Sequence, residues 1–299
     1  MKRLLATLVI LALAISAHAA GFNSIPLTGA GGKRPPAAAG CSDANATAWA
    51  AAVVTAGGTV SAPQATRVCN LIVALKAHSL WTIQDRIWLH ASENTQQSLI
   101  DIVNLGAATV VGAPNFTANE GWTGTAAATD YLDSNFNGAS GPNFTQNSAS
   151  VTSYVRSTGT FGACTVGVNE SGSQTGLQPA SFGNITFDVN NSLFTSQSTN
   201  AGNEQGVWTS SRTGASTIAV YHNSSATPFA TASTASSATS PFDFFILAVN
   251  TDNTAVSCIG LQNTQISITA ISAGTSAADT AQFQTDLNSY MTALGTNVY

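Results

Sequence analysis

From about residue 181 to residue 295 the chain is a succession of short strand-like segments closed by one amphipathic helix, and this order constrains the fold most. In residues 182–189, Ile185, Phe187 and Val189 alternate with Asn184, Thr186 and Asp188, the period-2 pattern of a strand with one dry face. Gly206–Arg212 and residues 217–221 follow, running into the turn His222-Asn223-Ser224-Ser225. Residues 226–233 read as the returning arm of a hairpin, which Pro228 confines to a sheet edge. Residues 242–249 are apolar on both faces, as expected of a central strand covered on both sides. Ile266, Ile268 and Ala270 then alternate with Ser267 and Thr269, predicting a one-sided strand. Together these segments predict a mainly β protein built as a two-sheet antiparallel sandwich.

The closing helix carries its own boundaries. Ser276 and Asp279 have capping-box spacing, Gly295 stands where a left-handed C′ residue is wanted, and Phe283, Leu287, Met291 and Leu294 form one stripe beside Tyr290. Near the N-terminus, helical character from Asp43 through Trp49 and Val53 stops at Gly57-Gly58. Ser61 and Gln64 then open a second helix lined by Val68, Leu71, Ile72 and Leu75. These two helices predict a hairpin in which Trp49 and Trp81 pack.

Lys2 and Arg3, the apolar run 4–15 and Ala17-His18-Ala19 compose a signal peptide cleaved after Ala19. The expected order is therefore a signal peptide (1–19), a Gly/Pro/Ala-rich flexible leader (20–42), a helical hairpin (43–82) and the sandwich with its helix (83–299). The apolar run is too short to span a bilayer, so export beyond the inner or endoplasmic-reticulum membrane, to the periplasm, cell surface or medium, is expected without membrane insertion. Only 8% of residues are charged and the net charge is -5, which leaves no basic patch for nucleic acid. Four cysteines, Cys41, Cys69, Cys164 and Cys258, fit no zinc spacing, and export makes two disulfides the default. Three pairings are open; Cys41–Cys69 with Cys164–Cys258 is favoured, with free buried thiols as the rival.

Several blocks in order carry a resemblance: Arg86-Ile87-Trp88-Leu89-His90-Ala91, Ala113-Pro114-Asn115-Phe116-Thr117-Ala118-Asn119-Glu120-Gly121-Trp122, Asp130-Tyr131-Leu132-Asp133-Ser134-Asn135-Phe136-Asn137, Ser211-Arg212-Thr213-Gly214-Ala215-Ser216 and Tyr221-His222-Asn223-Ser224. With the strand-plus-helix ending they make residues 43–295 resemble phage-, prophage- and bacteria-encoded proteins carrying a concanavalin-like lectin/glucanase domain. The resemblance implies a jelly-roll sandwich behind a helical lead-in, in tail-, fibre- or surface-associated proteins. Glycan binding enters only by analogy between folds.

Chemistry is sparse. A retaining glycosidase needs two carboxylates about 5–5.5 Å apart, yet Glu93, Glu120, Glu170 and Glu204 stand isolated in sequence. His18, His78, His90 and His222 show no metal spacing, and no phosphate loop or nucleophile elbow occurs. Asp130, Asp133, Asn135 and Asn137 offer hard oxygens to calcium, with Asp/Asn turn formation as the simpler alternative. For stacking and hydrogen bonding to a sugar the candidates are Trp122, Tyr154, Trp208, Arg212, Tyr221 and Asn223, each of which also suits packing. The sequence thus points to a non-catalytic, exported recognition module for a glycan or surface polysaccharide. Self-association as a structural subunit of an appendage or phage-like assembly is the alternative, and a glycoside hydrolase the least favoured reading.

Overall fold

The computed structural model describes residues 41–125, 130–157, 164–181, 183–193, 195–199, 202, 204–256 and 264–299. The expected signal peptide, nearly all of the leader, and Cys258 lie outside the described residues. Helices α1 (Ala44–Thr55) and α2 (Ala62–Ala77) form the hairpin. Asp43 caps α1 by accepting from the Asn45 and Ala46 amides. Ser61 caps α2 by accepting from the Gln64 amide. The Gln64 side chain, expected to complete a capping box, instead donates to Tyr290 Oη at 2.8 Å. The Cys41–Cys69 disulfide staples the start of the hairpin to α2. Cys164 is also disulfide-bonded.

Two sheets follow. In spatial order the first runs β13 (Ala230–Ser233), β12 (Thr217–His222), β11 (Gly206–Arg212), β6 (Ala149–Ser157), β17 (Gln265–Ser272), β4 (Gly121–Thr123) and β3 (Asn115–Thr117). Strand β1 (Gln84–Leu89) pairs with Ile268–Ser272 of β17, while β4 pairs with Gln265 and Ile266, so β1 and β4 share one edge of that strand. The second sheet runs β10 (Gln197–Thr199), β9 (Asn184–Asn191), β8 (Ser173–Ser181), β7 (Val166–Glu170), β14 (Asp243–Ile246), β5 (Tyr131–Asn137) and β2 (Thr109–Val111). The hairpin β15 (Val249–Thr251) and β16 (Thr254–Val256) joins it through β7, and β15–β7 is parallel where the other pairings are antiparallel. The result is the mainly β, jelly-roll-like sandwich that the strand pattern predicts. Leu99 ends the short helix α3 (Thr95–Leu99), and Ile100 forms an isolated bridge with Ala107.

Two apolar cores stack on either side of the first sheet. Between the sheets, Val151, Val155, Trp208, Ile218 and Val220 meet Val166, Leu177, Ile185, Phe187 and Ile246. On the other side Tyr154, Val207, Ile268 and Ala270 pack against α1, α2 and the closing helix α4 (Ala277–Leu294). The first sheet is therefore covered on both faces, which corrects the one-sided reading of β17: each of its eight residues is buried. Its polar positions are satisfied inside, Ser267 Oγ donating to the Glu120 carbonyl and Thr269 Oγ1 meeting His90 Nε2. Strand β14 is central as expected, between β5 and β7, but ends at Ile246, because Leu247 takes φ 70° and turns the chain into β15. Helix α4 begins and ends where its caps predict: the Asp279 amide donates to Ser276 Oγ, and Gly295 is left-handed at φ 76°.

Candidate functional site

The aromatic residues offered for sugar stacking lie mostly inside. Trp122 is buried against Phe116 and donates from Nε1 to Ser98 Oγ at 2.9 Å. Tyr154 sits beneath α4, donating to Asn288 Oδ1 and accepting from the Val298 amide. Tyr221 is buried too, its carbonyl accepting from Gln284 Nε2. Arg212 is fully enclosed between the sheets and spends its guanidinium on main chain. Nε donates to the Val189 carbonyl at 2.7 Å, and Nη1 to the carbonyls of Thr234 and Gly214. These four side chains are buried and are taken up by packing and internal hydrogen bonds.

Trp208 and Asn223 lead to a more informative place. Strands β11 and β12 pair Trp208 directly with His222, and their rings stack at 3.7 Å between centroids and 12° between planes. Phe229, which follows Pro228 into the edge strand β13, sets its ring edge-on to Trp208 at 5.1 Å and to His222 at 6.4 Å. Trp208 forms the floor, 0% exposed, with Nε1 donating to the Glu204 carbonyl at 2.9 Å. Phe229 is the open member, 41% exposed. Offset and edge-to-face contacts of this kind fix aromatic rings relative to one another beyond simple burial.

The backbone around the stack is tightly set. Asn223 adopts φ 50° and its Oδ1 accepts from the Val207 amide at 3.0 Å. Gly206 is obligatory beneath it, since a Cβ there would stand 1.9 Å from Asn223 Oδ1 and φ is +108°. His222 Nε2 lies 2.8 Å from the Gln205 carbonyl, which can only accept, so Nε2 carries the proton. Burial pushes the His222 pKa down, keeping the imidazole neutral near pH 7. The rim is thus an uncharged aromatic ladder bordered by Glu204, Gln205 and the turn through Ser225 and Thr227. His222 and Phe229 were not singled out from sequence. Only the β11–β12 register places the histidine opposite a tryptophan, although Pro228 did mark the edge.

The calcium candidates are otherwise employed. Asp130 accepts from the Ala113 amide and from Thr125 Oγ1, and Asp133 accepts from the Asn135 amide. Asn135 donates to the Ala107 carbonyl and to Thr109 Oγ1, and Asn137 to Asp243 Oδ1. Burial, and to a lesser degree neighbouring Asp243, raises the Asp133 pKa. Among the described residues no group of three or more His, Cys, Asp or Glu side chains is placed to hold a metal. No helix of the described residues is long and apolar enough to cross a membrane.

No protein-family model matches the chain, and neither does any curated protein. Among solved structures it is similar to the binding domain of botulinum neurotoxin serotype D, at 13% identity and a TM-score of 0.47 over 68% of this chain and 52% of that one. A Trypanosoma rangeli sialidase mutant displaying trans-sialidase activity is similar at 10% identity and a TM-score of 0.46, over 75% of this chain and 39% of the sialidase. Domain 4 of AbnA, an extracellular arabinanase from Geobacillus stearothermophilus, in complex with arabinotriose, is similar at 13% identity and a TM-score of 0.39, over 67% of this chain and 98% of that domain. The chain spans about half the length of the neurotoxin binding domain it matches.

Proposed function

We propose that this chain is an exported recognition module that binds a carbohydrate polymer at the Trp208–His222–Phe229 rim. The observation that carries the reading is Phe229, 41% exposed and braced by two rings beneath it. The C–H face of a pyranose is apolar and its hydrogens are weakly positive, so it complements the negative face or edge-flanked surface of a fixed aromatic ring. Hydroxyl groups at the sugar's margin would meet the amide and carboxylate of Gln205 and Glu204. A braced ring loses little conformational entropy on binding. The Cys41–Cys69 disulfide suits an oxidising compartment, in line with the signal sequence.

The test is a polysaccharide array probed with the oxidised mature protein and its Phe229→Ala variant. Saturable binding should appear for wild type and fall at least about tenfold in the variant, the loss of roughly 1.4 kcal/mol that one stacking contact supplies. The variant should lose only about 0.5–1.5 kcal/mol of stability, the worth of the edge-to-face contacts with Trp208 and His222, and should remain folded. Trp208→Ala is the contrasting control: removing a buried ring should cost about 3–5 kcal/mol of stability, so any binding it loses says nothing about contact. Wild-type and Phe229→Ala proteins with equal affinity would overturn the site.

A further inference from the structure

The rim's ligand class can be narrowed, given that reading, by following the positive charges. We infer that the polymer recognised is neutral, with neither carboxylate nor sulfate on its sugars.

Recognition of an acidic sugar relies on a guanidinium or ammonium that can form charge-assisted hydrogen bonds with it. Each lysine and arginine among the described residues is already committed elsewhere. Lys76 Nζ bridges Asp43 and Asn45, both at 2.7 Å. Arg67 Nε donates to the Ala293 carbonyl and Nη1 to Gln64 Oε1, on the helical layer. Arg86 lies beside buried Asp101, with Nη1 donating to the Asp85 carbonyl. Arg212 is enclosed between the sheets on main-chain carbonyls. Arg156 comes nearest the rim, since its carbonyl accepts from Gln205 Nε2. Its guanidinium turns away, to Glu120 at 3.0 Å and Gln265 at 2.9 Å.

The rim itself continues this pattern. Residues 213–242, which carry β12, the turn and β13, contain no Asp, Glu, Lys or Arg. Their one titratable base, His222, is held neutral by burial, which outweighs the opposing pull of the Gln205 carbonyl on its ring proton, so it offers no cation near pH 7. Glu204, whose carbonyl holds Trp208, adds a negative charge at the border. Among the described residues, an anionic sugar docked on Phe229 would meet one carboxylate and no free cation. A neutral sugar would meet an apolar ring and hydrogen-bonding groups.

The experiment compares neutral polysaccharides (β-glucan, xylan, mannan, arabinan) with polygalacturonate and sialylated glycans, using the full mature chain at low and high salt. Neutral chains should bind with a Kd that changes by less than about twofold as ionic strength rises from about 0.01 M to about 1 M, because screening acts only on charge. That binding should be lost in Phe229→Ala and retained in Phe229→Tyr. Gln205→Arg, which places a cation at the exposed border, should add salt-sensitive binding of polygalacturonate. Binding of acidic chains by wild type, weakened by salt, would overturn the neutral class while leaving a recognition module in place. Binding of no polysaccharide of either class would overturn both the class and the recognition reading beneath it.

Discussion

His90 shows how much a single side chain can carry in this protein. It is fully buried, with Nδ1 at 3.0 Å from the Ser98 carbonyl and Nε2 at 3.2 Å from Thr269 Oγ1. The carbonyl can only accept, so Nδ1 bears the proton and Nε2 accepts from the threonine. Burial lowers its pKa from 6.5 to about 4. The unfolded chain then binds a proton below about pH 6.5 that the native state refuses, so this residue's stabilising contribution is complete above that pH and drains away as pH falls toward about 4. The loss should approach about 3 kcal/mol. Urea midpoints of wild type and His90→Gln, compared from pH 7 to pH 4, should converge on acidification. His222, whose pKa is also lowered, acts in the same direction and cancels in the comparison. Parallel curves for the two proteins would show that His90 does not titrate in this way. Among single residues, burial was hard to read from the sequence. Trp122, Tyr154, Tyr221 and Arg212 are all buried, but what covers them is distant in sequence: helix α4 over Tyr154 and Tyr221, and the opposite sheet over Arg212.

At the scale of elements, local signals read well wherever the cause is local. The caps of α4 are an instance. Ser276 accepts the Asp279 amide, and Gly295 closes the helix at φ 76° with no atom within 4 Å of where a Cβ would stand. Gly295→Ala therefore isolates a backbone effect from any steric one, and should cost about 1 kcal/mol in equilibrium unfolding. An unchanged midpoint would mean the C-terminus relaxes out of the left-handed conformation at no cost. The edge character imposed by Pro228 on β13 was legible for the same reason, whereas the wet face read for β9 was not borne out, since Thr186 and Asp188 are buried along with Ile185, Phe187 and Val189. The break in β14 was not, because Leu247 takes φ 70° to serve a parallel pairing of β15 with β7 that no nearby residue announces. The one-sided reading of β17 failed because the helices α1, α2 and α4 close over its second face. The missing clue was the helical stripe itself, which has to dock somewhere.

For the whole molecule, hairpin and sandwich act as one body, since α1, α2 and α4 share a core with the first sheet. The disulfide Cys41–Cys69, with a sequence separation of 28, should contribute about 3–4 kcal/mol by restricting the unfolded chain. Unfolding under reducing conditions should then show a midpoint lowered accordingly, and a Cys41→Ser/Cys69→Ser variant should reproduce it without reductant. A fall in the variant much smaller than in the reduced wild type would assign the larger part to Cys164, which is also disulfide-bonded.

The same staple sets the path of mechanical force. All of α1 lies inside the loop that Cys41 and Cys69 close. Tension applied to the chain ahead of Cys41 passes through the sulfur bridge directly into the middle of α2, and α1 carries none of it. A pull from that end therefore loads the helix packed against α4, and meets the sandwich as a block before any turn of the first helix can peel away.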